Sequence, residues 1–328
     1  MSAGPGDARA RAGLTGAAVV AVLAAAGPVL PAEPLATATS VLLYVTLAQS
    51  WNIIGGFAGC PSLGQVVFSG AGGYCAAVLT VRAGVSFWTA LPLSALAAAA
   101  LAATLGAPLV RLRGTAFSVA TLGLAAGAQD LAANLSVIGG GAGLTFPTYG
   151  PGPHTAYPGP LTFYLAFLAL AVVAVAVAAW LAASRFGLAL QAIRADEAAA
   201  SASGVAITRT KVAAWALSAF LAGAAGALSA FQQLVVYPGS LFDITTTTLI
   251  VVMAVVGGRG TVFGPVIGAL VFGILVTGLH LRVGLVGALV PLLIIVTVIV
   301  LPDGIVGGLH GSSRLRLPNL EEIRRYRL

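Results

Sequence analysis

The sequence predicts an all-α fold, a polytopic transmembrane helical bundle of about ten spans with broken helices and one long cytoplasmic loop. Three observations carry this reading. The 328 residues are 59% apolar and only 8% charged, with a mean hydropathy of +1.02, whereas about a quarter of a soluble domain is charged. No Asp, Glu, Lys or Arg occurs from Pro34 to Val81 or from Leu131 to Ser184, and a spanning helix needs only about 20 such residues. The arginines stand between the apolar runs, where they mark topology. The net charge of +7 does not point to nucleic-acid binding, because no soluble body offers it a basic face.

In chain order, hydropathy places spans at about 12–31, 37–57, 62–81, 85–108, 115–135, 161–183, 211–231, 243–257, 262–280 and 284–301. This defines a cytoplasmic N-terminal segment at 1–11, a transmembrane domain at 12–309 and a basic cytoplasmic tail at 310–328. Arg9 and Arg11 before an apolar run also describe a secretory signal, but no A-x-A site stands clearly before Glu33, so the first span is expected to be retained. With both termini inside, 14 of the 16 basic residues fall on the cytoplasmic side and only Arg82 and Arg282 fall outside. The positive-inside bias requires such an asymmetry, and an odd number of spans would spoil it. Cys60 and Cys75 lack any zinc spacing and are expected to be small buried residues.

Two junctions do not look like simple rods. Gly55, Gly56, Gly59 and Pro61 interrupt the second-to-third, and Gly257, Gly258, Gly260, Gly264 and Pro265 interrupt the eighth-to-ninth. A broken helix leaves backbone groups that hydrocarbon cannot satisfy, so it belongs where protein packs or where water enters a translocation path. Close packing has its own support in the four-residue spacing of Gly55 with Gly59, Gly123 with Gly127, and Gly260 with Gly264 and Gly268. Both readings stay open at this stage. The external stretch 136–160 is dense in Gly and Pro and cannot continue a helix.

The polar segment "AIRADEAAASASGV", 192–205, stands between two long apolar runs. Phe186 to Ser203 are good helix formers and Gly204 is the usual residue past a helix end, which predicts one short cytoplasmic helix. Arg194, Glu197, Ser201 and Gly204, spaced three, four and three, would line one stripe of it. A solvated connector and a surface for a protein partner both fit that pattern.

Here the chain resembles a known family. Residues 185–228, "RFGLALQAIRADEAAASASGVAITRTKVAAWALSAFLAGAAGAL", are similar to the cytoplasmic loop and following span of permease subunits in branched-chain amino-acid ABC importers. "GGFAGCPSLGQVVFSGAGGYCAA" (55–77), "LRGTAFSVATLGLA" (112–125), "VVGGRGTVFGPVIGAL" (255–270) and "LPDGIVGG" (301–308) agree in the same order. The arginine-glycine entry to the fifth span and the long loop at 184–210 resemble the LivM type. The resemblance implies one membrane half of an importer, joined by a second permease subunit, two cytoplasmic ATPase subunits and an extracytoplasmic solute-binding protein. It implies that Arg194, Asp196, Glu197 and Gly204 belong to a coupling segment that inserts into the ATPase. No cofactor is expected on this chain; ATP and magnesium would sit on the partners, since the pattern G-x-x-x-x-G-K-[ST] is missing and the one lysine, Lys211, follows Thr-Arg-Thr.

The chain departs from the family at two places. Gly141 and Ala142 stand where a serine and an aspartate are common, and Ala126 where an acidic residue is frequent. The small-molecule substrate is therefore expected to be a branched-chain amino acid, with other amino acids, amides or urea as alternatives. Asp130, one turn beyond Ala126, and Asp243, at the start of the eighth span, are candidate acidic groups on the substrate path. For Asp243 a cap on Thr245 to Thr247 is the alternative. His154, His280 and His310 form no constellation, and metal sites are not expected. The tail "NLEEIRRYRL" could cap at Asn319 and rest on anionic membrane lipid. A secondary transporter would need titratable groups near the midplane, and a membrane enzyme would need converging His, Ser or acidic residues. Neither arrangement is evident.

Overall fold

A computed structural model describes residues 22–146 and 158–279. Apart from two short strands, the backbone is helical, because a chain in hydrocarbon must satisfy its N–H and C=O groups within itself. The elements in order are α1 (Ala32–Trp51), a π-helical turn (Asn52–Phe57), α2 (Gln65–Val81), α3 (Phe87–Leu109), α4 (Thr115–Asn134), β1 (Leu144–Thr145), α5 (Pro160–Ala183), α6 (Arg185–Ala195), α7 (Glu197–Ala202), α8 (Ile207–Gln233), β2 (Val235–Val236), α9 (Pro238–Leu241), α10 (Ile244–Gly258) and α11 (Gly264–Leu279). Among the described residues five helical stretches are long and apolar enough to cross a membrane: Phe87–Leu109, Thr115–Asn134, Pro160–Ala183, Ile207–Gln233 and Pro238–Gly258. The expected span at 284–301 and most of that at 12–31 lie outside the described residues, as do the termini; each of the other eight coincides with helix.

The bundle is built around α8, which packs most extensively on α2 and α3. Its buried surface is mostly small, with Ala219, Ala222, Gly223, Ala225, Gly226 and Ala227 among the residues that line it. Small residues permit the close approach because apolar burial gives helices little incentive to associate in lipid, so contact area has to do it. A Cβ at Gly72 would overlap the carbonyl of Gly223, and one at Gly226 would overlap the carbonyl of Ser69. Trp215 anchors the same seam, its ring edge-on to Phe68 and Phe117 with centroids 5.3 Å away in each case.

The end opposite Arg194 is closed by a feature the all-α expectation lacks. Leu144 and Thr145 pair antiparallel with Val236 and Val235. Beneath this pair Phe231 stacks on Phe87 at 3.8 Å and meets Phe146 at 5.2 Å. Two-residue strands have no sequence signature, and here they serve to pair the backbone where α8 ends at left-handed Leu234, φ 63°.

The glycines of the later break and of α4 separate by environment. Gly257, Gly264 and Gly268 lie where α10 and α11 cross, each with backbone where a Cβ would sit. Close packing thus explains them. Gly123 and Gly127 on α4 face nothing within 4 Å. We expect Gly226→Val to lower stability in detergent by about 1–3 kcal/mol through overpacking, while Gly123→Ala and Gly127→Ala in the isolated chain change it by less than about 0.5 kcal/mol. Thermal melts of the purified protein read both.

Candidate functional site

The polar segment begins at Ser184, whose hydroxyl accepts from the Gly187 amide at 3.0 Å and caps α6. Leu190 and Ile193 turn inward, and Leu188, Gln191 and Ala195 face out. The single helix expected over 186–203 is broken at Asp196. Asp196 is extended (φ −159°, ψ 116°), and its carboxylate accepts from the amides of Ala198 (2.7 Å) and Ala199 (3.2 Å). An aspartate can start a helix more readily than it can continue one, because its oxygen satisfies the orphan amides of a new first turn. The expected stripe of Arg194, Glu197, Ser201 and Gly204 is therefore split, with Arg194 closing α6 and Glu197 opening α7.

The end of α7 is as the sequence indicates. Gly204 is left-handed (φ 84°), its amide donates to Ser201 O and that of Val205 to Ala200 O, the two bonds of a Schellman motif. Ser201 and Gly204 are exposed.

Glu197 turns toward the bundle. Its carboxylate holds the ammonium of Lys211, which is 1% exposed one turn into α8, and forms an ion pair with Arg113 Nε at 3.4 Å, whose side chain is 81% exposed. A buried ammonium without a counter-charge is strongly destabilising, so this pair fixes α7 onto α8. A cavity of about 190 Å³ lies beside it, bordered by Cys60, Gly114, Phe117, Ile193 and Asp196. Burial pushes the Cys60 thiol above its usual range, with Lys211 opposing and Glu197 reinforcing the effect.

Arg194 is exposed overall, but its guanidinium reaches the bundle. Its Nη1 donates to the Gly56 carbonyl at 2.6 Å, and its side-chain carbons lie over left-handed Gly59 (φ 70°), where a Cβ would come within 2.7 Å of Cγ. Burial, and then the charge of Arg259, lower its affinity for a proton, though a guanidinium stays charged at neutral pH. Gly260 abuts the same guanidinium, and its amide donates to Asn52 Oδ1 at 2.7 Å. Asn52 Nδ2 donates to Thr261 O at 2.9 Å and to Gln49 Oε1 at 3.3 Å, and Gln49 Nε2 donates to Val262 O. The two predicted breaks, at 55–61 and 257–265, are thus joined to each other and to Arg194.

Gln49, Asn52 and Lys211 were not singled out as site residues by the sequence reading. Their signal was present: an amide pair in an apolar run, and the one lysine of the chain. Of the others, Gly55 packs on the ring of Trp51, Pro61 O accepts from Ser118 Oγ at 2.6 Å, Gly258 is left-handed (φ 127°), and Pro265 occupies the first turn of α11. Asp243 caps α10, accepting from the amides of Thr245 (3.0 Å) and Thr246 (3.2 Å); the capping alternative describes it. Asp130 is exposed on α4, on the same flank as Gly123 and Gly127. Among the described residues no cluster of His, Cys, Asp or Glu suits a metal ion. His154, His280 and His310 lie outside them.

Fold and site define a polytopic helical membrane protein with broken spans and a charged end to which a polar segment is tethered. The chain belongs to the family described as the branched-chain amino acid transport system / permease component, whose sequence profile matches residues 34–301. It is 31% identical to the high-affinity branched-chain amino acid transport system permease protein LivM of Escherichia coli over 279 residues, 76% of this chain and 64% of that protein. With LivM of Salmonella typhimurium it shares 31% over 261 residues, 71% of this chain and 60% of the other. It is also 32% identical to the ribose import permease protein RbsC of Bacillus subtilis over 150 residues, 44% of each. The chain thus spans a little under two thirds of the LivM proteins it matches. No solved structure matches.

Removing Glu197 strands the buried ammonium. Glu197→Ala should destabilise by about 3 kcal/mol, and adding Lys211→Met should recover much of that loss. Arg113→Ala should cost less than about 1 kcal/mol. A double-mutant cycle in detergent melts measures all three. In a Cys75→Ser background, alkylation of Cys60 should be slow at neutral pH and rise only at pH above the ordinary thiol range, because the buried neutral form is favoured. Maleimide or iodoacetamide rates against pH check this.

Proposed function

We propose that this chain is one membrane half of an ATP-driven importer that carries branched-chain amino acids inward by alternating access. The charged end, with Arg113, Arg194, Lys211 and Arg259, faces the cytoplasm, together with both termini. There the 184–210 segment meets one of two ATPase subunits, which hold ATP and magnesium; a second permease subunit completes the path, and an extracytoplasmic binding protein delivers substrate to the opposite end.

One observation carries the reading. A doubly capped pair of short helices is fixed by a buried ion pair to α8 and by Arg194 to both broken spans, yet presents Leu188, Gln191, Ala195, Ala198 and Ala199 to the outside. A solvated connector needs no such anchorage. A segment that transmits force needs a rigid body, a contact face and attachments to the parts that move, and all three are present. Family membership supports the same role.

The path itself would run along α4, whose Gly123, Gly127 and Asp130 flank is open within this chain. The companion subunit would close it. Substrate selection would fall largely to the binding protein, since Gly141 and Ala142 offer no side-chain donor or acceptor.

Proteoliposomes holding the four-component assembly should accumulate leucine, isoleucine or valine only with ATP and the binding protein, and this chain alone should do neither transport nor hydrolysis. Gradient-driven uptake by the isolated chain would overturn the ATP-driven reading, and uptake restricted to an amide or urea would overturn the solute class. Orientation has its own check. With Cys60 and Cys75 replaced by Ser, Ser201→Cys should react with an impermeant thiol reagent in inside-out vesicles and not in intact cells.

A further inference from the structure

The segment's most prominent cation, although exposed over part of its surface, already has a partner within the chain. Arg194 is engaged with the protein's own backbone, and the acceptor it meets is an unusual one. Along the break at 52–60 the amide of Ala58 donates to Ile53 O and that of Cys60 to Ile54 O. The next amide position that could reach Gly56 O is residue 61, a proline, which has no N–H. The Gly56 carbonyl is thus left at the C-terminal end of a helix, where a cation is the favoured partner. Arg194 supplies it at 2.6 Å. Gly260 lies against the same guanidinium and is bound through its amide to Asn52, four residues before Gly56. Asn52 also reaches Thr261 O, so that it spans from the first break to the second. Gly56 and Gly260 have to be glycines for this contact: a Cβ on Gly56 would overlap Asn52 Oδ1, and one on Gly260 would overlap Nη1.

The geometry points to Arg194 as a positioning residue that transmits movement of α6 and α7 to the two broken spans through Gly56 and Asn52, and not as a docking contact for the ATPase. This rests on the importer reading and deepens it. The docking contacts then fall to the outward face, Leu188, Gln191, Ala198 and Ala199. A displacement of α6 pulls on the Gly56 carbonyl by a charge-assisted bond, the stronger kind. Because Asn52 and Gly260 are part of the same network, the ends of α1 and α10 move together, and the cytoplasmic mouth can change as a unit.

The test uses the full assembly in nanodiscs with wild-type chain, Arg194→Ala, Arg194→Lys and Ala199→Glu. Arg194→Ala should hold the ATPase subunits with an affinity within about twofold of wild type while uptake falls about tenfold or more, and Arg194→Lys, which keeps a cationic donor, should restore at least about a third of uptake. Ala199→Glu should instead weaken ATPase binding by about tenfold. If Arg194→Ala loses ATPase binding in step with uptake, Arg194 is a docking residue and the proposal is wrong; uptake within about twofold of wild type overturns it equally. Hydrogen exchange on the wild-type assembly guards against a misfolded variant: nucleotide should alter amide protection at both 52–60 and 258–264, and no change at either overturns transmission. A wild-type assembly that ignores ATP would instead sink the importer reading itself.

Discussion

A backbone group without a hydrogen-bond partner costs several kcal/mol inside a bilayer, and the architecture of the charged end follows from that constraint. Two spans break there, at 52–60 and 258–264, and each break frees carbonyls and amides that a continuous helix would have satisfied. The structure pays them back with side chains: Asn52 for Gly260 and Thr261, Gln49 for Val262, Thr261 for Gly258 and Gly264, Arg194 for Gly56. The same rule acts one layer deeper, where Trp51 Nε1 donates to Ser62 O at 2.7 Å and Thr121 accepts from the Leu63 amide at 2.9 Å. Irregular backbone is tolerated at this end because polar side chains from four different helices converge on it.

That convergence makes the charged and opposite ends different in kind. The opposite end is closed by apolar contact, a cluster of phenylalanines under a two-residue strand pair. Apart from that strand pair, the ring contacts there are less directional than hydrogen bonds. The charged end is held by directional bonds to named carbonyls, which either form or break. In the proposed importer, these discrete contacts would lie on the side where force enters.

Much of this was legible in the sequence. Apolar runs located eight described helical stretches, five of which match helices long and apolar enough to cross a membrane, Gly204 marked a helix end that proved to be a Schellman motif, and glycine and proline clusters located both breaks. The direction in which side chains point was not legible. Helical spacing put Arg194 and Glu197 on one stripe, but Asp196 caps a new helix between them, and each charge reaches a partner more than ten residues away. Pairing with Gly56 or Lys211 depends on tertiary proximity, which no local pattern encodes. The β1–β2 pair was missed for the same reason: its strands lie about ninety residues apart.

The burial of Lys211 has a practical corollary for anyone seeking the neighbours of this protein. It is the chain's only lysine, and its amine is engaged with Glu197 at 1% exposure. Amine-directed cross-linkers, the usual reagents for mapping assemblies by mass spectrometry, will find almost nothing to grip here, and digestion at lysine will hardly fragment the chain. Reagents aimed at carboxylates or at introduced thiols suit it better.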